Sequence, residues 1–269
     1  MKEGSLMKNL GFIGTGNMGS AIIKGIANSN LCKICAYDKD PEKLKALEQY
    51  KVTSCKSEQE LTETCNYVLL AVKPQVLADV LDSIKPYVTK NHIFISICAG
   101  ITSDFIKQHT NPAAKTAIVM PNTPAMLGLG ASAIARDDYI SDEDFAFAKE
   151  IIASCGMVKE IPMDKMKEII CINGSSPAFI YLFSKGFIDY AREVGIDETA
   201  ALQLFAQSLT GSAKMLTDSD MTVEQLIKQV SSPGGTTLAG LDKLYTGDLE
   251  EMVKEACRAC TKRAYELAN

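Results

Sequence analysis

The sequence predicts an α/β protein in which a Rossmann-type parallel sheet domain is followed by an all-α dimerisation domain. Short apolar runs alternate with amphipathic segments through the first part of the chain. Strand signals then stop near residue 161, and long helical patterns fill the remainder. We therefore predict a nucleotide-binding domain over residues 1–162 and a helical dimerisation and substrate-binding domain over residues 163–269.

Five apolar runs are predicted to be strands that are buried on both faces. In chain order they cover residues 10–13, 34–37, 67–71, 93–97 and 117–120. Segments with helical period separate them, for example residues 41–49 and 76–84, so a parallel βαβ sheet is the economical arrangement. Residues 132–135 and 157–161 flank a further helix opened by Ser141, and we expect them to add two edge strands.

Long helical patterns follow in the second domain, over residues 166–194, 197–216, 223–230 and 249–267. The segment 178–183 is apolar on more than one face. A helix that is apolar all round needs burial, so we expect a subunit interface here. Pro177 is expected to kink the first of these helices and to shape that interface.

A glycine-rich turn follows the first predicted strand and opens a helix. Its six residues are Gly14, Thr15, Gly16, Asn17, Met18 and Gly19. In this context the GxGxxG spacing is the Rossmann fingerprint, in which Gly14 permits the tight turn, Gly16 lets the backbone approach a pyrophosphate, and Gly19 allows helix and strand to pack closely. A turn with only a structural role is the alternative. We predict that these residues bind a dinucleotide.

The end of the second predicted strand bears on the choice between NAD and NADP, and its signals conflict. Asp38 could accept hydrogen bonds from the ribose 2′-hydroxyl and favour NAD, whereas Lys39 could attract a 2′-phosphate and favour NADP. Asp38 has no influence if it instead points away as a cap of the helix near Pro41.

A second loop at the carboxyl end of a predicted strand lies beside the expected cofactor trough. It consists of Ala71, Val72, Lys73 and Pro74. We predict that this loop contacts the cofactor, although Lys73 also has the character of an ordinary exposed lysine.

A loop with anion-binding chemistry lies far along the chain from the glycine-rich turn. Its seven residues are Ser231, Ser232, Pro233, Gly234, Gly235, Thr236 and Thr237. Proline fixes one φ angle, the glycines allow unusual ones, and a helix is expected to begin at Leu238. Successive N–H groups could converge there on a carboxylate. A plain junction between loop and helix, with Ser and Thr caps, is the alternative.

Composition excludes several classes of function. A net charge of −5 and a pI near 5.2 argue against nucleic-acid and anionic-membrane partners. The charge-free stretch over residues 169–184 is shorter than the roughly 20 residues that a membrane-spanning helix needs. The first six residues do not resemble a signal peptide and are interpreted as an extension or a cloning remnant, so we expect a cytoplasmic protein.

The nine cysteines are expected to be mostly free thiols. Cys32 and Cys35 form one CxxC pair, and Cys257 and Cys260 form another, but the long separation between the pairs matches no usual zinc module. The chain has only two histidines. We therefore expect no metal site.

Five motifs together resemble the pyrroline-5-carboxylate reductase family. They are the glycine-rich turn with the strand before it (residues 11–19), residues 71–74, Met120-Pro121-Asn122-Thr123-Pro124-Ala125, residues 174–178 and residues 232–237. The first is common to many dehydrogenases, whereas the last three together are highly specific. The resemblance covers almost the whole chain after Met7.

The resemblance implies reduction of 1-pyrroline-5-carboxylate to L-proline by NAD(P)H, the last step of proline biosynthesis. It also implies a homodimer that assembles into a larger ring such as a decamer. Residues 14–19 would hold the pyrophosphate, residues 72–74 would line the cofactor, and Met120, Pro121, Asn122 and Thr123 would border the nicotinamide. Residues 37–39 depart from the pattern common in NADPH-preferring members. We predict NADP as the cofactor, with NADPH preferred and NADH possible.

This interpretation also assigns the substrate side. N–H groups of Gly234, Gly235 and Thr236 and the hydroxyl of Ser231 or Ser232 would hold the substrate carboxylate. Thr237 would contact the ring nitrogen, since a hydroxyl can accept from an iminium N–H or donate to an imine. A helix cap is the alternative role for Thr237.

Two rival functions are also considered. One is a β-hydroxyacid dehydrogenase, but the glycine-rich segment with a catalytic lysine that it needs is missing around Lys167 and Lys185. The other is a dinucleotide sensor without turnover.

Overall fold

An eight-stranded mixed sheet organises the amino-terminal part of the molecule in the computed structural model, which describes residues 7–27 and 29–267. Its strands, in chain order, are β1 (Asn9–Ile13), β2 (Lys33–Tyr37), β3 (Thr53–Ser54), β4 (Tyr67–Leu70), β5 (Ile93–Ser96), β6 (Lys115–Met120), β7 (Gly130–Arg136) and β8 (Gly156–Glu160). Across the sheet they are ordered β3-β2-β1-β4-β5-β6-β7-β8. Neighbouring strands from β3 to β6 are parallel, β7 runs antiparallel to β6, and β8 is parallel to β7.

Helices connect the strands and then fill the remainder of the chain. They are α1 (Asn17–Ile26), α2 (Pro41–Lys45), α3 (Glu58–Thr64), α4 (Pro74–Ile84), α5 (Ser103–His109), α6 (Asp142–Ala153), α7 (Ser176–Glu193), α8 (Glu198–Asp218), α9 (Val223–Gln229), α10 (Thr236–Thr246) and α11 (Leu249–Leu267). The predicted fold class is thereby confirmed: a sheet with mainly parallel strands precedes a helical region.

Both faces of the sheet are buried, because helices cover each of them, and successive strand residues point to opposite faces. Phe12 and Leu69 pack on one face against the apolar side of α1. Ile13 and Leu70 pack on the other face, where Leu77 of α4 covers them. The near-continuous apolar runs in the sequence follow from this double burial.

Two features of the sheet differ from a purely parallel arrangement. The strand β3 has only two residues, both exposed, so it carries no apolar run that could reveal it. The strand β7 is antiparallel to β6, with Met120 opposite Ala133. The connection between them therefore stays at one edge of the sheet and needs no crossover helix.

The described chain divides into two compact units. One comprises the described residues within Met1–Ser175 and Cys260–Asn269, and the other comprises Ser176–Ala259. A π-helical turn over Ile170–Ser175 ends at this division and continues directly into α7. Pro177, the second residue of α7, has no N–H to donate to the preceding turn. The domain boundary at residue 162 stays a prediction.

The helical unit contains an aromatic cluster and exposes apolar side chains. Phe187 stacks on Phe205 with ring centroids 4.1 Å apart, and Phe183 meets Phe187 edge-on at 5.2 Å. Leu182 and Leu204 are nevertheless 72% and 71% exposed in the single chain. Within the described ranges, no helix combines the length and the hydropathy needed to cross a bilayer.

Candidate functional site

The site begins where the strand order of the sheet reverses, between β1 and β4. The chain leaves these neighbouring strands in opposite directions, which opens a crevice at their carboxyl ends. The N–H of Ala71, just after β4, donates to the carbonyl of Ile13 at 2.9 Å. The predicted glycine-rich turn and the predicted loop 71–74 are therefore held side by side at this crevice.

The three glycines of the turn meet the requirements of a dinucleotide cradle. Gly14 has a φ of +94°, and a Cβ there would lie 2.7 Å from the carbonyl oxygen of Ala71. A Cβ on Gly19 would lie 2.6 Å from the carbonyl oxygen of Gly14, so α1 can approach β1 only because this residue has no side chain. A Cβ on Gly16 would meet nothing within 4 Å. The backbone at Gly16 thus faces open space that a pyrophosphate can enter.

Asp38 is tied to this turn. Its Oδ2 accepts hydrogen bonds from the backbone N–H of Thr15 at 2.7 Å and from the Thr15 hydroxyl at 3.0 Å. Burial by itself would raise the pKa of Asp38, but hydrogen bonds from Thr15 and Asp40 and the nearby charge of Lys43 hold that pKa below its ordinary value. Asp38 does not cap α2; Asp40 occupies that position and accepts from the N–H of Glu42.

The loop after β4 is secured by a residue that the sequence analysis did not single out. The thiol of Cys98 lies 3.4 Å from the carbonyl oxygen of Leu70 and 3.2 Å from that of Val72, and it donates to them. Burial raises the pKa of Cys98 to about 11, so the thiol stays protonated as a donor at neutral pH. Lys73 is exposed and occupies the N-cap position of α4, and Pro74 begins that helix.

An asparagine pair fixes the segment that was predicted to border the nicotinamide. The side chain of Asn122 donates to the carbonyl of Asn173 at 3.1 Å and accepts from the N–H of Ala131 at 2.9 Å. The side chain of Asn173 in turn donates to the carbonyls of Met120 at 2.7 Å and Ala131 at 2.9 Å. Asn173 was not predicted as a site residue. Its partners lie more than 40 positions away, and the sequence around it predicts only a helix.

The predicted substrate loop belongs to the second unit, and its local geometry changes part of the prediction. The helix α10 begins at Thr236 and not near Leu238, with Gly235 as its N-cap. The N–H of Gly235 donates to the carbonyl of Ser232 at 2.9 Å, and the hydroxyl of Ser231 donates to the carbonyl of Ile227 at 2.6 Å. Two of the predicted carboxylate donors are thus already bonded within the protein, one to the loop and one to α9.

Other donors at this loop keep their capacity to bind an anion. Gly234 has a φ of +70°, which turns the chain into α10. The first N–H groups of a helix have no intrahelical acceptor, and here they belong to Thr236, Thr237 and Leu238. Since α10 is capped by Gly235 without a side-chain hydrogen bond, Thr237 is not the cap, and its exposed hydroxyl lies in the first turn.

A separate cavity of about 620 Å³ lies in the first unit and borders Cys98 and Met120. The ion pair of Lys107 with Asp137, with Nζ and Oδ2 2.9 Å apart, forms part of its wall. Residues 14–19 do not line this cavity. Over the described ranges, no group of three or more His, Cys, Asp or Glu residues is arranged to hold a metal ion.

The fold and the glycine cradle define a dinucleotide-binding protein of the Rossmann class. Residues 163–267 match the family model for pyrroline-5-carboxylate reductase dimerisation, and residues 9–100 match that of the coenzyme F420-dependent NADP oxidoreductases. A pyrroline-5-carboxylate reductase of Bacillus subtilis is 32% identical over 97% of this chain and 95% of its own length. The chain belongs to the pyrroline-5-carboxylate reductase family.

Two solved structures are similar over nearly the whole chain. The pyrroline carboxylate reductase of Plasmodium falciparum, solved with NADP bound, has a TM-score of 0.87 and 32% identity, with 98% of each chain covered. A pyrroline-5-carboxylate reductase from Coxiella burnetii has a TM-score of 0.91 and 28% identity, covering 98% of this chain and 100% of its own.

Proposed function

We propose that this chain reduces 1-pyrroline-5-carboxylate to L-proline with NADPH, the last step of proline biosynthesis. Membership of the reductase family over nearly the full length supports the reaction. The observation that carries the proposal is the cradle at the strand-order reversal, where Gly14 and Gly19 close tightly on the backbone while Gly16 faces open space. A protein with this cradle and an intact anion-binding loop has the two sites that the reaction needs.

The residues of the crevice fit NADP. The N–H groups at the start of α1, from Gly16 to Gly19, would hold the pyrophosphate, and residues 71–74 would line the cofactor. Residues 120–123 would border the nicotinamide, in the position that Asn122 and Asn173 maintain. When bound, the cofactor supplies the hydride that reduces the C=N bond. The protein supplies position and electrostatics.

The substrate is held by the second loop in this proposal. Its carboxylate would accept hydrogen bonds from the N–H groups of Gly234 and Thr236, with a contribution from Ser232, while the engaged groups of Ser231 and Gly235 keep the loop in shape. The hydroxyl of Thr237 would meet the ring nitrogen. Reduction adds a hydride to the imine carbon, and the nitrogen carries a proton, so a hydroxyl that bonds this N–H orients the ring for attack.

The active form is proposed to be a homodimer, assembled into a larger ring such as a decamer. The dimerisation family model and the exposed leucines on α7 and α8 support association. In such a dimer one subunit would hold the dinucleotide and its neighbour would supply the substrate loop. We also place the protein in the cytoplasm, since the buried free thiols of Cys35, Cys55 and Cys65 suit a reducing compartment.

The reaction is tested by incubating the purified protein with 1-pyrroline-5-carboxylate and NADPH deuterated at the transferred position. We expect oxidation of the cofactor and formation of L-proline carrying deuterium at C5. The matched control is 1-pyrroline, which has the imine but no carboxylate and should react poorly because the 231–237 loop has nothing to hold. Absence of proline with both NADPH and NADH would contradict the proposal.

Cofactor preference is measured by kcat/KM for NADPH and for NADH at fixed substrate. We expect NADPH to be favoured. A preference for NADH of more than about tenfold, equivalent to about 1.4 kcal/mol, would refute the NADP assignment.

A further inference from the structure

In many Rossmann folds an acidic residue at the end of the second strand accepts hydrogen bonds from the ribose hydroxyls of NAD. Such a carboxylate needs lone pairs that are free and directed at the crevice. An acid with free lone pairs also repels the 2′-phosphate of NADP. The hydrogen bonds made by Asp38 therefore decide whether this chain carries that selection.

The carboxylate of Asp38 is already engaged by the protein on both oxygens. Oδ2 accepts from the N–H of Thr15 at 2.7 Å and from its hydroxyl at 3.0 Å. Oδ1 accepts from the N–H of Asp40 at 3.0 Å and lies 3.6 Å from Nζ of Lys43. A carboxylate offers about four lone-pair sites. Four donors thus surround a side chain that is only 7% exposed.

These bonds act on the glycine-rich turn. The N–H of Gly14 donates to the carbonyl of Tyr37 at 2.9 Å, and the next N–H, that of Thr15, donates to Asp38. The first two residues of the turn are thereby anchored to the end of β2. The N–H groups that follow, at Gly16 and Asn17, begin the ten-residue helix α1 and have no intrahelical acceptor. The anchor sets the direction in which those open donors point.

The charges around Asp38 also weaken any repulsion of a phosphate. Lys39 is exposed directly beside it, and Lys43 pairs with it while remaining 45% exposed. A desolvated anion with a lysine partner and hydrogen bonds on both oxygens presents little net negative charge to the crevice.

We propose that Asp38 is a positioning residue, which sets the pyrophosphate-binding turn through Thr15 and does not select NADH over NADPH. The inference rests on the proposed function only in taking the crevice to bind a dinucleotide. It predicts that loss of the carboxylate harms both cofactors alike, whereas a residue that reads the ribose would change their ratio.

The test measures dissociation constants of NADPH and NADH without substrate, by calorimetry, for the wild type and for Asp38→Ala, which removes both acceptor oxygens. We expect binding of both cofactors to weaken by about tenfold, as for loss of a charge-assisted hydrogen bond, with their ratio changed less than fivefold. Asp40→Asn is the matched control, because asparagine keeps the cap of α2 and the neighbouring charge changes by the same amount. It should leave both constants within about twofold.

A second measurement begins with the wild type and therefore stands even if the Asp38→Ala protein does not fold. Amide hydrogen exchange on the wild type without ligand should find the Thr15 N–H protected, and Asp38→Ala should release it. A Thr15 amide that exchanges freely in the wild type would overturn the inference. So would a shift of the ratio by fivefold or more toward NADPH in Asp38→Ala, or unchanged binding of both cofactors.

Failure of the inference is distinguishable from failure of the proposed function. A wild type that binds both dinucleotides but makes no proline removes the proposed function and leaves the role of Asp38 intact. A wild type that binds neither dinucleotide removes both.

Discussion

The side chains of Asn122 and Asn173 are linked through the backbone: Asn122 donates to the carbonyl of Asn173 at 3.1 Å, and both side chains form hydrogen bonds with the backbone of Ala131. Both residues are only 9% exposed. The pair joins the end of β6, the start of β7 and the π-helical turn that precedes α7. Because these bonds are buried, each unmade donor or acceptor is costly.

Replacing Asn173 by alanine should therefore lower the free energy of unfolding by about 1–3 kcal/mol, since the carbonyls of Met120 and Ala131 both lose their donor. Urea unfolding followed by circular dichroism measures the change. The control is Asn91→Ala, which alters an exposed asparagine next to β5. A free energy within about 0.5 kcal/mol of wild type for Asn173→Ala would contradict the role assigned to the pair.

Thr237→Ala should lower kcat/KM for 1-pyrroline-5-carboxylate by about 10- to 100-fold, corresponding to about 1.4–2.7 kcal/mol, because the ring nitrogen would lose the hydroxyl that we propose as its partner. The dissociation constant of NADPH should stay within about twofold. Thr246→Ala, at the other end of α10, is the matched control and should retain activity. Unchanged turnover of Thr237→Ala would remove this residue from the mechanism.

Cys98→Ala should raise the KM for NADPH by about 2- to 10-fold, since the carbonyls of Leu70 and Val72 lose the shared donor that positions residues 71–74. Cys98→Ser keeps a donor and should lie closer to wild type. Steady-state kinetics with varied NADPH distinguishes the two variants. Equal KM values for wild type and alanine variant would show that the loop does not depend on this thiol.

The raised pKa of Cys98 predicts that the folded protein loses stability at alkaline pH. Burial raises the pKa of Cys98 to about 11, above its value of about 8.5 in an unfolded chain. The protonated thiol is therefore favoured by folding, so its contribution is complete below about pH 8.5 and declines as the pH rises toward 11. Between these pH values the unfolding temperature, Tm, should fall more steeply with rising pH for the wild type than for Cys98→Ala. Parallel curves of Tm against pH for the two proteins would contradict the assignment.

Leu204→Glu should dissociate the oligomer and abolish reductase activity, because it places a charge in a leucine-rich surface that we propose to be buried between subunits. Sedimentation velocity measures the species, and the proline assay measures activity. Lys90→Glu puts the same residue at an exposed polar position of the nucleotide-binding part and should change neither. A fully active monomer of Leu204→Glu would contradict the proposal that neighbouring subunits complete the site.

The long strands and the glycine-rich turn were predictable from the sequence because their physics is local. Strands that are buried on both faces have apolar runs in the sequence. The tight turn requires glycine at Gly14, and the close approach of α1 requires glycine at Gly19. The pairing of Asn173 with Asn122 has no local signature, since it joins residues 51 positions apart. Likewise the charge of Asp38 was visible but its engagement by Thr15 was not, because only the folded turn brings these two residues together.

The reversal of β7 has a consequence for how this protein can vary in length. Since β7 runs back along β6, residues 121–129 remain at the edge of the sheet where β6 ends at Met120 and β7 begins at Gly130. An insertion there would push directly on the segment held by Asn122. Residues 137–141 join β7 to α6 at the opposite edge. Extra residues beside the exposed Asp138 and Tyr139 would project into solvent. Natural relatives should therefore conserve the length of the first connection and tolerate insertions in the second.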